Sequence, residues 1–303
     1  MKEYDVIVVG ALGTEGTASG NRSVDTEENL MITTRGMTAM AFAVALAALP
    51  AHADDEYFSP TNERVRISLG AMHVSSTTTL RADSSAGVTG TTINAEREFG
   101  LDASDFEPKF QATVRVAKRQ RLSFDYFTLD RSGNTTLTGT PILFRDVTLL
   151  PGDPLQTKLS LRSLGITYEY SFWHSERLEI AGTLGVHATD VSAEARVQSP
   201  TRHIIQTEDQ AGPIPTLGID ATWVVSKRFY LDGRAQYLKV NISNLDGSLG
   251  IYELDVLYRY RPNVSFAVGY SDFTANITST KSSKAGVFDF STKGPEMFFR
   301  IAF

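Results

Sequence analysis

From Glu63 to the C-terminal Phe303 the sequence alternates apolar and polar residues with period two, in one run after another. In 251–261, Tyr252, Leu254, Val256, Tyr258 and Tyr260 share one parity, while Glu253, Asp255, Leu257, Arg259 and Arg261 share the other. Leu164, Ile166, Tyr168, Tyr170 and Phe172 alternate in the same way with Gly165, Thr167, Glu169 and Ser171. Neighbouring side chains on a β-strand point to opposite faces, so the pattern prescribes strands with one apolar and one polar face.

A soluble sandwich alternates too, and three further features point elsewhere. The polar face carries many charges interleaved with glycine and serine, which suits a narrow polar lumen. Aromatic residues gather at strand ends: Tyr168, Tyr170, Phe172, Trp173, Trp223, Phe229, Tyr258 and Tyr260. Such clustering is the girdle of a membrane–water interface. Tight charged turns at 118–121, 173–176, 226–228 and 261–263 also alternate with longer polar loops at 76–106, 131–157, 192–213, 243–248 and 278–286. Short turns on the periplasmic side and long loops outside are the arrangement of an outer-membrane barrel.

This rhythm predicts ten strands: 64–75, 107–117, 121–131, 158–172, 177–191, 214–225, 228–242, 248–261, 263–277 and 286–303. The even count leaves both ends of the barrel in the periplasm. Segment 91–101 has strand character, but as a full span it would put the short turns outside, so it is assigned to the first external loop. Counts of eight and twelve remain open. The fold class is therefore all-β, an antiparallel up-and-down transmembrane barrel.

Composition agrees. Each helical membrane span needs about 20 consecutive apolar residues, and only 42% of these 303 residues are apolar. A barrel with a polar lumen tolerates that value. The net charge of −6 argues against a nucleic-acid-binding surface. The absence of cysteine removes disulfides, thiolate catalysis and cysteine metal sites.

One short apolar run, from Met37 to Pro50, follows Arg35 and precedes Ala51, His52 and Ala53. A basic flank, a short apolar stretch and an A-x-A site form a secretory signal peptide, with cleavage after Ala53. The expected organisation is a non-native or disordered leader over 1–30, a signal peptide over 31–53 and a barrel over 54–303. The leader opens on Val6, Ile7, Val8, Val9 and Gly10, which resembles the first strand of a Rossmann unit. Its glycines, Gly10, Gly13 and Gly16, have the wrong spacing for a dinucleotide site, and a polar stretch follows where a packed helix is needed.

Residues 57–303 resemble the bacterial outer-membrane β-barrel class, of the small OmpA/OmpW-like kind. The most specific part is the last strand, with Met297, Phe299, Ile301 and Phe303 on one face. In that class such an ending resembles the signal read by the barrel-assembly machinery, and an apolar edge strand is a handle for β-augmentation. The resemblance implies export to the outer membrane of a Gram-negative bacterium. It also implies outer-membrane lipid, lipopolysaccharide and the assembly machinery as partners. It implies no particular activity.

With the apolar face turned to lipid, the other face lists the lumen. Its charged members are Arg66, Arg115, Asp125, Glu169, Glu179, Asp220, Asp232, Arg234, Glu253, Asp255, Arg259 and Arg300. Most lie a few residues from a periplasmic turn, so they form one charged layer in the periplasmic half. Opposite charges in a narrow barrel pair and close the passage; a gate or selectivity ring is the functional alternative.

Candidate catalytic sites are weak. His174, Ser175 and Glu176 sit on a turn and do not converge on one point. His187 faces the lumen, but alternation separates it from Asp190 and Ser192. His73 and His203 fall near or in external loops, and no metal-ligand spacing occurs. The acids Glu96, Glu98, Asp102 and Asp105 read as a solvated loop, with a divalent ion or lipopolysaccharide contact as the alternative. Loop 131–157 carries apolar residues at Ile142, Leu143, Phe144, Val147, Leu149 and Leu150, as a hairpin above the membrane or as a lid for an apolar ligand. The expected function is a structural or interaction barrel with a narrow, salt-bridged lumen and no cofactor. The alternatives are a narrow channel for a small or apolar solute and, third, a lipid-modifying enzyme.

Overall fold

A computed structural model of the chain describes residues 59–199, 202–242, 245–281 and 285–303. The leader 1–30 and the signal segment 31–53, with Ala51 and Ala53, lie outside the described residues, as does the side chain of His203.

Ten long strands form the wall: β1 (Val65–Ala82), β3 (Ser104–Ala117), β4 (Gln120–Thr136), β7 (Pro154–His174), β8 (Leu178–Ser199), β9 (Arg202–Val224), β10 (Phe229–Ile242), β11 (Leu245–Arg261), β12 (Val264–Ser279) and β13 (Gly286–Ala302). Each pairs antiparallel with the next in this order, and β13 returns to β1, from Arg66 opposite Ala302 to Ala82 opposite Gly286. Closure satisfies every wall strand on both sides and leaves no edge. Three short strands lie in the loops. The strand β2 (Ile93–Asn94) pairs with the outer end of β1 and leads into a one-turn helix, α1 (Ala95–Glu98), so 91–101 does not cross the wall. The hairpin of β5 (Ile142–Phe144) and β6 (Val147–Leu149) stands apart from the main sheet.

All ten predicted strands are present, and the structure extends them outward. Of the stretch 192–213, expected as a loop, the described residues are instead strand: β8 and β9 stay paired from Leu178 opposite Trp223 to Ser199 opposite Arg202. The outer parts of loops 76–106 and 131–157 likewise belong to β1, β3, β4 and β7.

The physical reason is an inversion in the alternation. In the lower part of β7, Leu164, Ile166, Tyr168, Tyr170 and Phe172 are exposed, and Ser163, Thr167, Glu169 and Ser171 are buried. Beyond Ser163 the chemistry swaps faces: Leu155, Leu159 and Leu161 turn inward, while Gln156, Lys158 and Arg162 turn outward. On β8 the swap falls at the same level, since Arg162 pairs with Asp190 and Leu161 with Val191. Above it Val191, Ala195 and Val197 point inward and Asp190 and Arg196 outward. The exposed apolar stretch 164–172 is about 30 Å long at ~3.3 Å per residue. Tilted by about 40°, it gives a band of roughly 23 Å, close to the usual height of the lipid-facing zone. The strands above that band stand in water and enclose an apolar core.

That core has two parts. Met72, Leu129, Leu159, Leu161, Leu249, Ile251, Phe273, Phe288 and Phe290 fill the upper barrel. Above them the hairpin contributes Ile142, Phe144 and Leu149 to a cap with Ile93, Phe99, Leu137, Leu155 and Val197. Phe99 meets Phe144 edge to face, with centroids 5.8 Å apart. This apolar loop is thus a hairpin packed on the outer end of the wall.

Candidate functional site

The charged side chains of the lower lumen form a connected layer. Arg121, only 1% exposed, is at its centre. Its Nε lies 2.7 Å from Glu169 Oε2, its Nη1 3.1 Å from Glu179 Oε2, and its Nη2 2.7 Å from Asp220 Oδ1. Arg115 grips the same Glu179 with both terminal nitrogens, at 2.9 and 2.8 Å. Such planar two-point contacts are the strong form of the arginine–carboxylate pair. Arg234 continues the layer to Glu169 at 3.4 Å and Asp220 at 3.5 Å. Arg300 pairs with Asp232. Lys109 Nζ bridges Glu253 and Glu296, at 2.6 Å each.

A second device closes the layer from below. The 3-10 turn Pro60–Asn62 enters the barrel mouth on the side of the short turns, where Ser59, Thr61 and Glu63 are buried. Ser59 Oγ accepts from Thr61 N, capping the turn, and donates to the Glu176 carbonyl. Arg115 donates from Nη2 to the Thr61 carbonyl, at 2.7 Å, and from Nε to the Glu63 carbonyl, at 3.2 Å. Arg66 donates to the Pro60 carbonyl. The Glu63 carboxylate lies 2.9 Å from Arg66 Nε and 3.3 Å from Arg259 Nη2. Three arginines from separate strands thereby pin the turn.

All twelve charged residues assigned to the lumen from the sequence lie on inward-facing positions. Four others belong with them and were not assigned: Glu63, Lys109, Arg121 and Glu296. Parity alone marks three. Arg121 shares the face of Ser123 and Asp125, Lys109 that of Thr113 and Arg115, and Glu296 that of Arg300. Arg121 stands both at the end of the expected turn 118–121 and at the start of the expected strand 121–131; the structure puts it in β4. Glu63 precedes β1, and the strand's parity, with Arg66 and Ser68 inward, does not assign it to the lumen.

At the upper border of the layer, Asp125, Gly165 and His187 sit side by side on β4, β7 and β8. His187 Nδ1 is 3.5 Å from Asp125 Oδ2. A Cβ on Gly165 would stand 2.6 Å from His187 Cε1, so the glycine makes the space in which the two meet. Asp190 points away on the outer face. His174 lies at the end of β7, with Nδ1 3.1 Å from Glu179 Oε1, so it joins the lumen layer and is more than a solvated turn residue. His73 is on the outer face of β1, against Phe106 with ring centroids 4.7 Å apart and planes tilted by 38°.

Of the four loop acids, Glu96 and Glu98 are engaged rather than solvated, while Asp102 and Asp105 are exposed. Glu96 accepts from Arg131 Nη2 at 2.7 Å and from Thr78 N at 2.9 Å, and Glu98 accepts from Asn94 N. Among the described residues no group of His, Asp or Glu is arranged to hold a metal ion.

The architecture has clear counterparts among solved structures. The outer-membrane protease OmpT of Escherichia coli superposes with a TM-score of 0.54 at 12% identity, over 82% of this chain and 100% of that one. The fold is that of the outer-membrane β-barrels. Other barrels match less closely. Ail of Yersinia pestis has a TM-score of 0.33 at 10% identity, over 79% of this chain and 97% of that one. The toluene transporter TodX of P. putida also has a TM-score of 0.33, at 7% identity over 79% and 90%. No protein-family model matches the chain, and no curated protein does. At such identities the likeness concerns the fold alone.

Proposed function

We propose that this outer-membrane barrel has a lumen closed from the periplasm and serves as an anchored extracellular platform in a Gram-negative bacterium. The observation that carries the reading is the layer centred on Arg121, with the turn Pro60–Asn62 seated beneath it. Paired, buried charges at this density leave little room for hydrated ions. The upper barrel adds an apolar core, which is the interior of a folded ectodomain rather than of a water-filled pore.

A narrow passage for apolar solutes has one observation in its favour, the apolar upper lumen. Such a route would end on the charged layer, where an apolar solute gains nothing. Planar-bilayer recordings of the purified barrel test the main reading. The expected result is no stable conductance from the wild type and measurable conductance from Arg121→Ala. A stable open channel in the wild type would overturn it.

A further inference from the structure

The ring that closes the barrel has no edge, but two of its strands run on beyond it. The ladder between β9 and β10 runs from Val224 opposite Tyr230 to Leu217 opposite Tyr237 and stops there. On its other side β9 stays paired with β8 up to Arg202. Continued in register, the end of β10 at Ile242 would reach only Gly212. Among the described residues, β9 from Arg202 to Gly212 therefore has no strand beside it on that side. At the usual rise per residue this is an open edge about 36 Å long.

The sequence accounts for the break. Pro213 and Pro215 have no N–H to donate, yet both stay in the β8 ladder, opposite Ala188 and Val186. A proline in a sheet turns its nitrogen towards an edge, so residues of this parity direct their backbone groups away from β8. At the prolines β10 cannot continue the ladder. Beyond them, at 203, 205, 207, 209 and 211, donors and acceptors both face out. A Cβ on Gly212 would meet nothing within 4 Å, so the strand's flank is open there. The far side of the same tall sheet differs: above the end of the β3–β4 ladder, Leu101 bridges Gly133 and Asp102 N donates to the Ser132 carbonyl. The open edge also stands above the lipid band, since Asp190 at the border pairs with Ala211. Natural edge strands are kept short or blunted, because an open one templates pairing with another chain. Here Ile205, 51% exposed, even presents a large apolar side chain to water.

The edge complements itself. Antiparallel pairing of like with like is two-fold symmetric, and the residue on the axis fixes its register. With Ile205 on the axis, Arg202 falls opposite Glu208 of the partner subunit, twice over, and the two isoleucines meet. With Gln206 on the axis, Ile204 would face Glu208 of the partner subunit; with Thr207, Ile205 would face Asp209 of the partner subunit. Opposite charges and apolar pairs directly across a ladder are the favourable ones. We propose that the β9 edge pairs antiparallel with β9 of a second copy of this chain, centred on Ile205. Two barrels side by side in one membrane are related by an axis along its normal, which keeps both β9 strands running the same way. Antiparallel pairing therefore joins barrels in two facing membranes. The inference deepens the platform reading and rests on it for the outward orientation of the edge.

Analytical ultracentrifugation of lipid nanodiscs holding one barrel each tests it, because two discs can meet face to face. Wild-type discs should pair, and empty discs should not. Arg202→Glu sets like charges opposite each other at both symmetric positions, as does Glu208→Arg, and each should weaken pairing about tenfold or more. The two exchanges combined should restore it. Thr207→Pro removes an edge donor and should abolish pairing; Ile205→Lys, which puts two like charges on the axis, replaces it if that variant loses heat-modifiable gel migration. Wild-type discs that stay single, as expected for an edge that takes a peptide of another protein, would overturn the proposal. So would a double exchange no better than either single one, or pairing that survives Thr207→Pro and Ile205→Lys. Two further readouts isolate the platform reading. An open pore in planar bilayers, or a β8–β9 ribbon that proteases cannot reach on intact cells, sinks that reading and leaves the pairing of discs standing.

Discussion

On β7, Glu169 points into the barrel and Tyr170 away from it; farther along the same strand, Leu161 points in and Arg162 away. The backbone is continuous and its register is unchanged. What differs is the solvent outside. Where lipid surrounds the wall, the outer face must be apolar and the interior is left to polar groups that satisfy one another. Where water surrounds it, the outer face carries charge and the interior is packed like the core of a soluble protein. The level at which Arg162 faces Asp190 marks where one environment gives way to the other. The two halves should accordingly fail in different ways.

The largest effect is expected in the lower half. Arg121→Ala leaves Glu169, Glu179 and Asp220 facing one another without their shared cation. Removing one partner of a buried ion pair costs about 3–5 kcal/mol. Urea unfolding followed by tryptophan fluorescence should show a loss of that order, together with a salt-dependent lumen. If stability holds, the layer is not the structural centre of the lower half.

Volume governs the upper half. Leu161→Ala removes a fully buried side chain and should cost roughly 2–5 kcal/mol through lost burial and the cavity left behind. Leu161→Met should cost less than about 1.5 kcal/mol, since it keeps the volume. Conductance should stay at the wild-type level in both variants. A pore opened by Leu161→Ala would show that the apolar layer, not the charged one, closes the barrel.

A smaller effect sharpens the border itself. Arg162 and Asp190 face each other on the exposed side, where opposite charges contribute about 0.2–1 kcal/mol. Replacing both with leucine should change stability little while raising the upper edge of the apolar band. Quenching of a probe on Ser160 by lipid-borne quenchers should increase; no change would mean that the exposed pattern does not set the depth of insertion.

The smallest effect concerns the cap. Hydrogen bonds from Ser85 hold the Asp146 carboxyl below its ordinary value of 3.8. This anchor is complete above that value and is lost as the pH falls through the lowered one. Protection of the Val147 and Leu149 amides, corrected for intrinsic exchange, should therefore weaken as the pH is lowered below 3.8, with Asp146→Asn abolishing that dependence. Protection factors that do not change on acidification would remove the anchor from the account of the hairpin.

The wall was legible because alternation is a local property. Tyr252 to Tyr260 and Leu164 to Phe172 each declare a strand without help from the rest of the chain. The outward extensions were missed for an equally physical reason. A reading that follows the apolar face loses the strand at Arg162 and Asp190, although the period continues beyond them with the faces exchanged. Membership of the lumen was legible by parity, but partnership was not. Which acid meets Arg121, or that Asp125 reaches His187 across Gly165, depends on the register of three strands. The turn Pro60–Asn62 had no signal, since nothing periodic distinguishes a buried 3-10 turn from a linker.

That turn carries a consequence for assembly. Its contacts come from Arg66 on β1, Arg115 on β3, the Glu176 carbonyl between β7 and β8, and Arg259 on β11. Just beside it, the Phe303 carbonyl accepts from Arg64 N and Val65 N, joining the last residue to the first strand. The set of contacts on the turn runs from β1 to β11, so seating of the turn requires these strands to be gathered around one lumen. A sheet in which those strands had not met would leave the turn open to proteases, whereas the closed barrel buries Ser59, Thr61 and Glu63.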